Sequence, residues 1–199
     1  MKKFPLLFLL SLILVCACNS NKGEEAYYVI KGTTSQSRLN GKKLFIVPWG
    51  SKQIEDSIGV DSVYIKDNKF EFRSNKGEYI ARVSIERNAR YGTQDLLIVT
   101  ESGGEINVVI DSVSYGGGTP QNEALQQWKE LKEAHDAIAG PQVVRLYNLR
   151  KNPADSLAAK ALSDSLKEFN EQFKKQVLDI TKLINKGKGY DLLMSMYGD

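Results

Sequence analysis

From Ala26 to Tyr115 apolar and polar positions alternate with a period of two, the spacing that sends successive side chains to opposite faces of a strand. The clearest case is Glu78–Glu86. Tyr79, Ala81, Val83 and Ile85 fall on one face, and Ile80, Arg82, Ser84 and Glu86 on the other, so the first face is expected in a core and the second mostly in water. Runs of the same kind occur at Tyr27–Lys31, Lys43–Val47, Ser62–Ile65, Lys69–Arg73, Asp95–Thr100 and Glu105–Asp111. Leu96-Leu97-Ile98-Val99 is apolar without interruption, which predicts a strand covered on both faces. Between the runs stand Asn40-Gly41, Asp67-Asn68, Lys76-Gly77 and Gly103-Gly104, residues that accept positive φ at low cost. About seven short strands separated by such turns predict an antiparallel sandwich or curled sheet.

Beyond Gly116-Gly117-Gly118 the period becomes 3.6. Thr119 or Asn122 can cap a helix that carries Leu125, Trp128, Leu131 and Ile138 on one side and is expected to break at Gly140-Pro141. A shorter helical stretch, Val143–Lys151, follows. Asn152-Pro153 then supplies an N-cap and a proline in the first turn, with Asp155 where the helix dipole favours a negative charge. The helix so opened repeats Leu162, Leu166, Phe169, Phe173, Val177, Ile180 and Ile184 at spacings of four and three, and is expected to run to about Lys186 and stop at Gly187. The fold class is therefore α+β. A β-rich domain occupies 25–118 and a helical region 119–199, and the triglycine segment reads as the linker between them.

The first residues carry a different pattern: Lys2 and Lys3, an apolar run from Phe4 to Val15, and a small-residue cleavage region. The run is shorter than the roughly 20 residues a bilayer-spanning helix needs. Val15-Cys16-Ala17-Cys18 resembles the bacterial lipobox, with an aliphatic residue three before the acylated cysteine and a small one directly before it. Ala17 before Cys18 fits the small-side-chain requirement better than Val15 before Cys16. The expected products are a signal peptide over 1–17, cleavage between Ala17 and Cys18, and a lipidated tether over 18–24. The acyl chains on Cys18 each add roughly 0.8 kcal/mol per buried CH₂ and hold the chain to a membrane. The expected location is the cell envelope, at the outer membrane, with the lipid as the membrane contact and another envelope protein as a possible partner.

The address changes the meaning of the charge. Removing Lys2 and Lys3 from 27 Lys+Arg leaves 25 against 24 Asp+Glu, so the mature chain is close to neutral and lacks the basic excess of a nucleic-acid surface. With Cys18 acylated no free thiol remains, which excludes a thiolate nucleophile, a disulfide and a cysteine metal site. His135 is the single histidine and has no cysteine or second histidine to build a zinc site with; it reads as a structural surface residue. No serine stands in a Gly-x-Ser-x-Gly elbow, and Gly116–Pro120 lacks the spacing and the lysine of a phosphate loop. Asp56, Asp61 and Asp111 read as turn and cap residues. The expectation is a chain without catalytic residues, metal or cofactor. Trp49, just after Pro48 at a strand end, and Tyr91, in the loop Asn88–Thr93, are the two aromatics expected to be exposed for a ligand.

The sequences YYVIKGT, GKKLFIV, DSVYIKDNKFEF, LLIVTESGGEINVVID and GGGTPQNEALQQW, in that order, resemble the domain of unknown function 4369 of Bacteroidetes lipoproteins. Gly32, Asp61-Ser62, Phe70, Gly103-Gly104, Gly118 and Asn122 carry the likeness, over roughly residues 25–130. In such proteins this segment precedes a thioredoxin-like domain bearing Trp-Cys-x-x-Cys, in which one thiolate attacks and the other resolves the mixed disulfide. This sequence contains no such motif. The expected function is a non-catalytic binding or scaffolding lipoprotein. The alternative is an accessory module of a thiol-disulfide system acting with a separate thioredoxin-like chain.

Overall fold

The computed structural model describes residues 27–85 and 92–198. Cys18, Ala17 and Tyr91 lie outside these residues. All seven predicted strands are present: β1 (Tyr28–Thr33), β2 (Lys43–Pro48), β3 (Asp61–Tyr64), β4 (Lys69–Ser74), β5 (Ile80–Ile85), β6 (Leu96–Val99) and β7 (Glu105–Val109). They form two sheets, completed by an eighth strand, β8 (Tyr115–Gly117). One sheet has the order β4-β1-β7-β8 and the other β3-β2-β5-β6, with β1 and β7 parallel and the remaining pairs antiparallel. A seven-residue helix, α1 (Lys52–Ile58), joins β2 to β3.

The strand β8 corrects the reading of Gly116–Gly118 as a linker. Gly117 pairs with Asn107 and Tyr115 with Val109, and the missing side chains are what permit the fit. A Cβ on Gly118, whose φ is +91°, would stand 2.4 Å from the Glu105 carbonyl oxygen. Glycine alone tolerates both that conformation and that approach.

The inward faces of the two sheets meet in one core that includes Tyr28, Ile30, Leu44, Ile46, Val83, Ile98 and Ile106. The predicted face of β5 is inside, with Tyr79, Ala81, Val83 and Ile85 all buried. Two phenols share this interior, Tyr28 and Tyr79, with hydroxyls 2.8 Å apart. Burial raises both above the ordinary tyrosine range, and for Tyr79 the bond with Tyr28 raises it further. In the unfolded chain a tyrosine ionises near pH 10. The folded state therefore retains protons that the unfolded state releases, so stability holds below about pH 10 and declines above it. Urea midpoints should fall with increasing steepness from about pH 10 upward, and the Tyr28→Phe/Tyr79→Phe double variant should flatten that slope.

The outer face of β5–β6 is covered, as the unbroken Leu96–Val99 run requires. Val99, Leu97 and Ile80 pack under Leu125 and Trp128 of α2 (Pro120–Leu149), Phe173 and Val177 of α3 (Ser156–Thr181) and Leu193 of α4 (Lys188–Tyr197). α2 runs unbroken for 30 residues through Gly140 and Pro141, against the expected break. Proline costs a helix interior about 3 kcal/mol through its lost N–H and its ring clash. Here Pro141 lies on the exposed side, while Ala139 and Leu146, a turn or so either way, are buried against Ala159 and Leu166 of α3. That packing holds the helix together across the defect. At the α2–α3 turn Asn152 accepts from the Ala154 N–H and Pro153 follows it, as predicted, with a single 3₁₀ turn before α3. α3 ends at Thr181, short of Lys186, because Asn185 and Gly187 take positive φ (45° and 99°) and turn the chain into α4.

His135 is less exposed than a surface residue. Its side chain is 13% accessible and stacks on Phe169 and Phe173 at 4.8 and 4.3 Å between ring centroids. Nε2 meets Asn170 Oδ1 at 2.9 Å, and Nδ1 faces Asp136 Oδ1 at 3.2 Å. The ring is thus a spacer between α2 and α3. His135→Ala should lower stability by about 2 kcal/mol, or roughly 6 °C in Tm for a chain this size, measured by calorimetry.

Candidate functional site

The β3–β4 hairpin connects the two sheets, and its turn is tight. Asp67 and Asn68 both have positive φ (51° and 62°), and Lys66 and Lys69 exchange backbone hydrogen bonds of 2.9 Å in each direction. This is the geometry in which a two-residue loop matches the twist of its strands. Asn40 pins the turn from outside: its Oδ1 accepts from the Asn68 N–H at 2.7 Å, and its Nδ2 donates to Asn68 Oδ1 at 2.9 Å.

Beside this hairpin an open groove of about 860 Å³ crosses β1, β4 and β7 and reaches Tyr115 on β8. Phe70 is central to it. It pairs with Gly32 across the β1–β4 ladder, and its ring occupies the space a side chain at 32 would fill: a Cβ there would lie 1.8 Å from Cζ. The walls are carbon from Val63, Val108 and Val109 together with the exposed rings of Tyr64 and Tyr115. A volume in the range of 300–1,000 Å³ with mostly apolar walls and a few polar groups is the usual form of a small-molecule site.

The charged groups on the rim divide into two kinds. Lys31 Nζ is held by Glu105 at 2.5 Å, and Glu71 Oε1 accepts from Arg73 Nε at 2.8 Å. Lys66 and Lys69, opposite each other across the turn, have no ion-pair partner among the described residues. Like charges in directly opposed positions destabilise a strand pair. The hairpin keeps them all the same.

The predicted ligand residue Trp49 is 46% exposed, but it is not in the groove. It lies beyond the far end of β2, six residues from Lys43, the register partner of Tyr64; at about 3.3 Å per residue this is roughly 20 Å away. Asp56 and Asp61 pair with Lys52 and Lys76, and Asp111 accepts from the Ser35 N–H at 3.0 Å and the Ser35 hydroxyl at 2.9 Å. Burial works to raise the Asp111 pKa, but these bonds outweigh it and hold the carboxyl below its usual range. Among the described residues no cluster of three His, Cys, Asp or Glu side chains is placed to hold a metal ion, and no helix is long and apolar enough to cross a membrane.

Sequence reasoning missed the groove because its parts come from five strands. One signal was present locally: two lysines flank the two-residue turn in Lys66-Asp67-Asn68-Lys69, which puts both ammonium groups on one face of a hairpin. No protein-family model matches the chain, and no curated protein or solved structure matches it either.

Proposed function

We propose that the chain is an envelope lipoprotein, held to a membrane by acylated Cys18, whose sandwich binds a small molecule in the Phe70 groove without transforming it. The groove is the observation that carries the reading. It offers apolar area and charge, while its one lining carboxylate, Glu71, is committed to Arg73. The sandwich is built to hold that shape: Gly32 accepts the Phe70 ring, and the helices cover the opposite sheet.

Kinship with the domain of unknown function 4369 is part of the proposal. It is supported by the work its residues do. Gly32 lies against the Phe70 ring, Gly118 turns the corner from β8 to α2, and Asn122 joins α2 to β6.

Two variants in the native host test the two halves. Cys18→Ala should lose palmitate labelling and move from the membrane to the soluble fraction. Thr33→Trp, an exposed substitution in the groove wall, should stay at the membrane but lose small molecules that co-purify with the wild type and are detected by mass spectrometry. Persistent labelling of Cys18→Ala would refute the anchor. An unchanged set of molecules on folded Thr33→Trp would refute the groove.

A further inference from the structure

We infer that the groove takes a small anionic amphiphile, with its apolar body against the exposed rings of Tyr64 and Tyr115 and its carboxylate or phosphate between Lys66 and Lys69. The inference rests on the groove being the binding site and adds the chemistry of what fills it.

Three observations carry it. The first is the unmatched pair of charges: both lysines line the groove and neither has an ion-pair partner among the described residues, whereas Lys31 and Glu71 on the same rim are paired. An anion bridging the two ammonium groups turns a repulsion into two charge-assisted hydrogen bonds, which are shorter and stronger than neutral ones.

The second is preorganisation. The reciprocal Lys66–Lys69 backbone bonds and the Asn40–Asn68 clasp fix both Cα positions before any ligand arrives, so binding orders only the side chains. The third is the floor. Around the nearly buried Phe70 and Val108, the exposed rings of Tyr64 and Tyr115 and the half-buried Val63 and Val109 present apolar surface to the open space. A simple inorganic anion would leave this apolar surface wet, and a neutral apolar molecule would leave the lysines unmatched. The volume suits one small molecule rather than a protein segment.

The test is calorimetric titration of the full mature chain carrying Cys18→Ser with three probes of ten-carbon chain below their aggregation limits: decanoate, decanol and decyltrimethylammonium. Decanoate should bind at least about 30-fold more tightly than decyltrimethylammonium. Lys66→Ala/Lys69→Ala should weaken decanoate about tenfold or more while leaving decanol unchanged, in line with the loss of charge-assisted bonds. Lys66→Glu/Lys69→Glu should invert the preference.

Equal binding of all three probes, insensitive to both double variants, would overturn the anionic site and leave the groove as a site for neutral ligands. Binding of none would overturn it as well, with the groove judged separately by the Thr33→Trp comparison. If phosphatidylglycerol vesicles sedimented the chain through Lys66 and Lys69 while decanoate did not bind, the lysines would face a membrane surface and the inference would be wrong.

Discussion

Replacing Gly32 by alanine is expected to cost about 3 kcal/mol, near 10 °C in Tm, and to deform the groove. The added Cβ would meet Cζ, Cε2 and Cε1 of Phe70 at 1.8, 2.3 and 2.4 Å, so the ring must leave its place over β1. Overpacking a filled site commonly costs 1–3 kcal/mol, and here the displaced ring also exposes apolar surface, roughly another 1–2 kcal/mol. The double variant Gly32→Ala/Phe70→Leu separates this cause from backbone propensity. A smaller side chain at 70 makes room for the Cβ, so the double variant should be more stable than the sum of the two single losses predicts, by more than about 1 kcal/mol. Strict additivity in urea unfolding would show that the ring and the glycine are independent.

The second large effect is at Asn122. This side chain is 1% exposed and lies in α2, not at its cap, and it acts as a piece of strand. Its Oδ1 accepts from the Val99 N–H at 2.8 Å, and its Nδ2 donates to the Val99 carbonyl at 2.8 Å and to Thr119 Oγ1 at 2.8 Å. β6 is an edge of its sheet, and the amide gives that edge the donor and acceptor a further strand would supply. Asn122→Ala leaves both backbone groups of Val99 buried without partners and should cost about 3–4 kcal/mol.

Asn122→Asp should be worse at neutral pH, because the carboxylate keeps the acceptor but opposes the Val99 carbonyl with a second negative oxygen. Only the protonated acid can donate there, so the folded pKa would rise above the unfolded value near 4. The stabilising contribution of that proton is present below the unfolded pKa and is lost as pH rises through the folded pKa. Asn122→Asp should therefore be less stable than Asn122→Ala at pH 7 and approach or exceed it at pH 4. A constant difference between the two would remove the donor role assigned to Asn122.

These two sites show where the sequence was readable. The alternation at Glu78–Glu86 and the unbroken Leu96–Val99 run identified β5 and β6 and their buried faces, because a half-buried strand writes its environment at every second residue and a doubly covered one at every residue. β8 was not readable because two of its three residues are glycine, which leaves no side-chain pattern; it forms through the close approach of backbones. The helix across Pro141 was not readable either, because what holds it is the packing of Ala139 and Leu146 on a partner helix later in the chain. α4 is not legible for the same reason: its anchor, Leu193, is buried by contacts with α2, α3 and β6.

The groove was the least legible feature. Lys31 and Tyr115 both line it from positions more than eighty residues apart, and the aromatic rings that line it are Tyr64, Phe70 and Tyr115. Alternation marked Phe70 as a core residue, which it is, but could not show that the surface beside it stays open.

The most direct test of the proposed binding role is a heteronuclear NMR titration of the isotope-labelled chain from residue 18 onward, carrying Cys18→Ser, with a small-molecule extract of its native host. The expected shifts concentrate at Gly32, Val63, Lys66, Phe70 and Val108, and vanish in Thr33→Trp. Shifts centred on Trp49 or on the α2–α3 hairpin, with the groove amides unmoved, would contradict it.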